Sequence, residues 1–255
     1  MRVVILGCGT STGVPIIGCN CTTCTSQDLR NRRTRTSILV ETQGKNILID
    51  TATDLRFQAL TYGISHIDAV LYTHSHADHI HGIDELRVFS FIQKEIIPCY
   101  GSHETIAYIK RGFKYLLDGS YGEAGRSLIE TFSIRDEFQL FGMDIIPVKI
   151  YHGDSIIFGY RIGKMAYLTD CSRIPDYSKE KLEGLDLLIL SALRYKPHPT
   201  HLTVGESIKT IKEIKPKFAL LTHMGHEIEY RELSRKLPKG IALAFDGMEI
   251  ELDEI

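Results

Sequence analysis

Apolar residues in this chain cluster into short blocks separated by glycine-rich or polar turns. Residues 2–6 are almost continuously apolar and run into Gly7-Cys8-Gly9-Thr10-Ser11-Thr12-Gly13-Val14-Pro15, the pattern of a buried first strand and a tight turn. Similar blocks predict strands over residues 37–41, 45–50, 68–72, 96–100, 128–134, 137–141, 143–150, 156–162, 164–169, 186–191 and 218–221. Helical spacing predicts helices over 54–62, stopped by Gly63, over 83–93, over 103–115 with Ser102 as N-cap, over 203–214, and over 227–237. Thr203 and Glu206 have the spacing of a capping box. Residues 241–244 and 248–252 read as a closing hairpin turning at Asp246-Gly247. The polar, glycine-rich segment 119–125 is the candidate for a mobile loop over a site. Strand clusters alternate with helices in two roughly similar halves, without a linker or a low-complexity tract. That predicts one α/β domain over 1–255 with its site where strands end.

Composition narrows the function classes. With 255 residues, 43% of them hydrophobic, the chain can bury a sizeable core. A net charge of −2 argues against broad, non-specific nucleic-acid binding. No apolar run approaches the ~20 residues of a membrane span, and the apolar stretch after Met1 is too short for a signal peptide. A cytoplasmic protein is therefore expected. Three of the six cysteines crowd into Cys19, Cys21 and Cys24, which in a reducing compartment points to a metal rather than disulfides.

The densest chemistry lies in His74-Ser75-His76-Ala77-Asp78-His79, directly after the strand at 68–72. Extended backbone sends alternate side chains to one side, so His74 and His76 can face one metal ion. If the chain then turns into a helix, Asp78 and His79 face a second ion nearby. His152 follows the strand at 143–150, Asp170 ends the strand at 164–169, and His223 follows the strand at 218–221. A carboxylate at the end of a buried strand, such as Asp170, can bridge two cations. Collected, His74, His76 and His152 form one nitrogen-rich face, and Asp78, His79 and His223 another. Two ions held ~3.5–4 Å apart activate water and clamp a phosphoryl oxygen.

Other residues carry weaker signals. Cys19-Asn20-Cys21-Thr22-Thr23-Cys24 offers three thiolates on one loop, and a closed tetrahedral zinc site then needs a fourth ligand from elsewhere. His201, just before the helix at 203–214, is the candidate leaving-group acid or oxyanion contact, with His198 as its competitor. Arg194 and Lys196 are candidate phosphate contacts. Asn31-Arg32-Arg33-Thr34-Arg35 reads as a solvated lead-in to the strand at 37–41, with phosphate binding as the alternative. The glycine turn lacks the GxGxxG order and the Walker lysine, so a nucleotide-binding loop is disfavoured.

The motif at 74–79 resembles the HxHxDH signature of the metallo-β-lactamase superfamily. Gly9-Thr10-Ser11-Thr12-Gly13-Val14-Pro15 resembles the GTSxGxP opening of its tRNase Z and PhnP branches. The likeness covers nearly the whole chain and is nearest to the PhnP branch, the phosphoribosyl cyclic phosphodiesterases. It implies an αββα sandwich of two β-sheets flanked by helices, with a two-metal active site of Mn or Zn that includes His152. It also implies a structural zinc held by Cys19, Cys21, Cys24 and His226. The implied function is hydrolysis of a small, cyclic ribose phosphodiester, with Asp78 and His201 as catalytic residues. A homodimer is implied as well, while the sequence itself leads to the expectation of no membrane partner and, from its net charge, disfavours nucleic acid. Two alternatives share parts of the pattern: a tRNase Z-like RNA endonuclease and a PqqB-like iron-dependent oxygenase of cofactor biosynthesis.

Overall fold

The computed structural model describes residues 1–120 and 126–253. The chain groups into two compact units, each built on a seven-stranded mixed sheet. The first unit comprises Met1–Leu6, Ser37–Arg135 and Glu249–Glu254. Its strand order is Glu249–Glu251, Arg2–Gly7, Ser37–Thr42, Lys45–Ile49, Ala69–Leu71, Ile97–Gly101 and Ile129–Ser133. From Lys45–Ile49 to Ile129–Ser133 the neighbours run parallel, with the helices Leu55–Tyr62, Leu86–Gln93 and His103–Gly112 in the connections. The core of this unit includes Leu6, Leu48, Val70, Ile83, Leu86 and Ile106, all essentially excluded from solvent.

The second unit comprises Gly7–Thr36 and Asp136–Met248. Its strand order is Ile241–Leu243, Phe218–Thr222, Leu187–Ser191, Met165–Leu168, Ser155–Ile162, Met143–His152 and Phe138–Leu140. Leu187–Ser191 has parallel neighbours on both sides and is buried throughout, which explains its uninterrupted apolar sequence. The helix Val204–Ile214 begins with the expected capping box. Thr203 Oγ1 accepts from the Glu206 amide at 3.2 Å, and the Glu206 carboxylate accepts from the Thr203 amide at 2.8 Å. His74, His152, Asp170 and His223 fall at or just beyond the ends of strands, whereas Asp78 and His79 lie on the short helix Ala77–Ile80.

Some expectations change. The predicted closing hairpin does not form: Ile241–Leu243 pairs parallel with Phe218–Thr222, whereas Glu249–Glu251 pairs antiparallel with Arg2–Gly7. The intervening turn is held by Asp246, whose carboxylate accepts from the amides of Cys8 and Thr34 at 3.0 and 2.6 Å, so Asp246-Gly247 serves a long-range anchor. The final helix is only Tyr230–Ser234; Glu229 caps its start by accepting from the Glu232 amide at 2.7 Å. The helix beginning at His103 ends at Gly112 and is followed by a short 3-10 turn, Lys114–Leu116. Arg33 is not solvated; it is 2% exposed. Of the loop proposed over 119–125, residues 121–125 lie outside the described residues.

Candidate metal centres and active site

In the first unit, the strand Ala69–Leu71 leads to His74, and the backbone stays extended to His76 (φ −67°, ψ 152°). His76 then caps the short helix Ala77–Ile80, which turns Asp78 and His79 inward. The His74 ring lies 4.6 Å from that of His76 and 4.2 Å from that of His79, centroid to centroid. His79 Nε2 is 3.3 Å from Asp78 Oδ2. His74, Asp78 and His79 are buried, and His76 is exposed. Gly82 ends this segment against Ala52, where a Cβ would fall 2.0 Å from the Ala52 carbonyl oxygen, so no larger residue fits.

Asp50 organises these side chains from beneath. It is fully buried, sits at φ +64° just past the strand Lys45–Ile49, and accepts from the Thr73 amide and hydroxyl at 2.8 Å each. Its Oδ2 is also 2.7 Å from His79 Nδ1. Burial pushes the Asp50 carboxyl above the usual range, opposed by His79 and by the Thr73 donors. Because the Thr73 hydroxyl hydrogen is spent on Asp50, its oxygen accepts from His74 Nδ1 at 3.0 Å. Both rings are therefore fixed with a proton on Nδ1 and the lone pair on Nε2, the form that ligates a metal. Sequence reading missed Asp50; its one signal was a carboxylate closing an apolar strand.

In the second unit, Asp170 and His223 occupy the left-handed region (φ +51° and +55°) just past the strands Met165–Leu168 and Phe218–Thr222. Such strained, non-glycine positions cluster at functional sites. Three imidazoles surround the buried Asp170 carboxylate: His223 Nε2 at 3.0 Å, His152 Nε2 at 4.0 Å and His201 Nε2 at 4.0 Å. His152 ends the strand Met143–His152, and its Nδ1 donates to the Thr200 carbonyl at 2.9 Å, again leaving the lone pair on Nε2. The His201 ring stacks on His223 at 5.0 Å and lies 4.7 Å from His152. Burial, then the neighbouring His223, pushes His201 down to about 3. His198, 5.0 Å from His201, is shifted down by burial and by Arg194. Arg194 donates to the carbonyls of its own loop, Lys196 at 3.1 Å and Pro197 at 2.8 Å, and Lys196 is exposed.

The second unit also gathers Cys19, Cys21, Cys24 and His226. His226 Nδ1 lies 3.2, 3.5 and 3.7 Å from the three Sγ atoms in that order, and the four ligand atoms lie within 4.8 Å of one another. The donor set and spacing fit a tetrahedral zinc. The amides of Ile16 and Cys24 point at Cys24 Sγ and Cys21 Sγ, each at 3.4 Å, and the Cys24 amide is the main cause that lowers the Cys21 thiol to about 6. Arg33 braces the far side of this loop. It donates to the Gly225 carbonyl at 3.0 Å, the Ile228 carbonyl at 2.8 Å and Asn31 Oδ1 at 3.2 Å, bracketing His226. The basic run thus contributes a structural clamp that sequence reading had placed in solvent.

These features are those of a metallo-β-lactamase-fold protein, and comparison agrees. The Beta-lactamase superfamily domain matches residues 45–224, and the chain belongs to that superfamily. A crystal structure of a diphosphatase from the PhnP family superimposes with a TM-score of 0.92 at 44% identity, covering 99% of this chain and 98% of that one. Zn(2+)-bound PqqB from Methylobacterium extorquens shares the fold (TM-score 0.78, 20% identity, 99% and 100% covered). An octanoyltransferase of Porphyromonas gingivalis is 39% identical over 100% of this chain, which spans 52% of that protein's length. No helix among the described residues is long and apolar enough to cross a membrane.

Proposed function

We propose that this protein is a metal-dependent phosphodiesterase acting on a small phosphodiester, a cyclic ribose phosphate being the substrate class that the resemblance to the PhnP branch implies. The observation that carries the reading is the set of buried imidazoles with Nε2 presented, the rings of His74 and His79 in one unit and the ring of His152 beside Asp170 in the other. In this reading His74, His76, Asp78 and His79 of the first unit and His152, Asp170 and His223 of the second would be the residues that hold the two divalent ions. Mn and Zn both suit this mixed nitrogen and carboxylate set. When bound, such ions supply Lewis acidity and hydroxide near neutral pH.

The chain's own residues do the rest. Asp50 and Thr73 hold the His74 and His79 rings in their ligating tautomers, and the Thr200 carbonyl does so for His152. Asp78 acts beside His79 as a ligand with a role in activating the nucleophile. His201 is neutral near pH 7, so its role is to give an N–H to the leaving oxygen as charge develops there. Cys19, Cys21, Cys24 and His226 hold a structural zinc that ties the N-terminal loop to the segment after His223.

Similarity to a PhnP-family diphosphatase over almost the full length supports phosphoryl chemistry. The acyl-transfer name of the Porphyromonas protein describes a chain about twice as long, and nothing in the site proposed here requires an acyl substrate. A cytoplasmic homodimer remains the expected form. The test is metal content together with turnover of bis(p-nitrophenyl) phosphate after reconstitution with Mn, Zn or Fe. About three metals per chain with diesterase activity support the reading. Full loading with oxygen uptake and no hydrolysis would move the assignment to an oxygenase, and cleavage of precursor tRNA alone would move it to an RNA endonuclease.

A further inference from the structure

Thr200 makes two opposite hydrogen bonds to two histidines. Its carbonyl accepts from His152 Nδ1 at 2.9 Å. Its amide donates to His198 Nδ1 at 3.3 Å, with its hydroxyl 3.1 Å from the same nitrogen. An amide N–H can only donate, so His198 Nδ1 must carry a lone pair, and the neutral ring bears its hydrogen on Nε2. One residue thereby sets two tautomers. His152 has its lone pair at Nε2, suited to a cation, and His198 has an N–H at Nε2, suited to an anionic oxygen.

The surrounding loop is stiff. Pro197 and Pro199 flank His198, and Arg194 ties down the carbonyls of Lys196 and Pro197. Thr200 itself is seated on Gly153 (φ +61°), where a Cβ would fall 2.9 Å from Thr200 Cγ2. His198 is half-buried at the rim of the imidazole row, 5.0 Å from His201, which in turn lies 4.7 Å from His152. The same geometry argues against His198 as the leaving-group acid. A general acid that transfers its proton from Nε2 starts as the imidazolium, with a hydrogen on both nitrogens, and ends as the neutral ring with its hydrogen on Nδ1. Either state puts that hydrogen against the Thr200 amide.

We propose that His198 is a substrate-binding residue whose Nε2–H is a fixed, uncharged donor to an anionic oxygen of the bound phosphodiester, with Thr200 as its positioning residue. This rests on the phosphodiesterase reading above.

The experiment combines NMR of 15N-histidine-labelled, metal-loaded protein with kinetics of His198→Ala and His198→Gln. Long-range 1H–15N spectra should show His198 protonated on Nε2 alone. His198→Ala should raise KM for bis(p-nitrophenyl) phosphate about tenfold with kcat nearly unchanged, as for loss of one hydrogen bond to a charged group. His198→Gln, whose amide nitrogen can replace the Nε2 donor, should restore KM to within about threefold. A proton on Nδ1, an unchanged KM in His198→Ala, or a fall in kcat alone would each overturn the proposal. If the wild type hydrolyses no phosphodiester, the functional reading fails by itself. Titration with inorganic phosphate then decides the donor: a shifted His198 Nε2–H signal supports it and an unmoved one overturns it.

Discussion

Asp50 Oδ2 lies 2.7 Å from His79 Nδ1, while the same carboxylate takes both donors of Thr73. A single buried acid thus fixes the orientation of His79 directly and of His74 through the Thr73 hydroxyl. Asp50→Ala should lower active-site metal affinity or turnover by about 10–100-fold, the usual cost of losing such support. Metal titration followed by mass spectrometry measures it. Wild-type affinity and rate in the variant would show that the rings orient without Asp50.

Cys21→Ser should remove about one zinc per chain and lower thermal stability, because zinc affinity at a closed site is also folding free energy. The readouts are zinc content after dialysis and the melting temperature. Unchanged zinc would leave the Cys19, Cys21, Cys24 and His226 cluster without a metal role.

Arg33→Met leaves the carbonyls of Gly225 and Ile228 and the Asn31 side chain without their guanidinium donors. The Gly225 carbonyl still accepts from the Ile228 amide at 3.3 Å and Asn31 Oδ1 from the Tyr230 amide at 2.8 Å, so the Ile228 carbonyl bears the main penalty of an unsatisfied buried acceptor and a loss of about 1–3 kcal/mol is expected. Urea unfolding at fixed zinc measures it. A loss below ~1 kcal/mol would mean that water or a neighbouring group replaces the clamp.

The depressed His201 predicts a pH dependence of stability in the metal-free protein. Its folded value of about 3 lies below the ordinary 6.5, so between these values the unfolded chain binds a proton that the folded chain does not. The native state therefore loses stability as pH falls below about 6.5. His201→Gln removes that contribution, so its urea midpoint should drop less than the wild type's between pH 7 and pH 5. Equal drops would place the acid sensitivity elsewhere.

Much of the fold was readable because local signals and long-range packing agreed. The apolar run at Leu187–Ser191 demanded a doubly covered strand, and Gly63 and Thr203 marked helix ends by backbone chemistry alone. The closing hairpin failed because Asp246-Gly247 is a local turn signal, whereas strand partners are chosen by which sheet edge is open. Arg33 failed for a related reason: a cation in a basic run gives no sign that backbone carbonyls distant in sequence will solvate it in place of water.

Local sequence sets the candidate ligand types and their spacing: His74, His76, Asp78 and His79 on a strand-to-helix turn, and Cys19, Cys21 and Cys24 on one loop. It also placed His152, Asp170 and His223 where strands end, since strand ends follow from local hydrophobic patterning. Which groups support those candidate ligands depends on the folded chain. Asp50 beneath His79, Thr200 between His152 and His198, and Arg33 around His226 are hydrogen bonds between segments distant along the chain. Their geometry depends on how strands pair and loops close, which no local pattern of residues encodes.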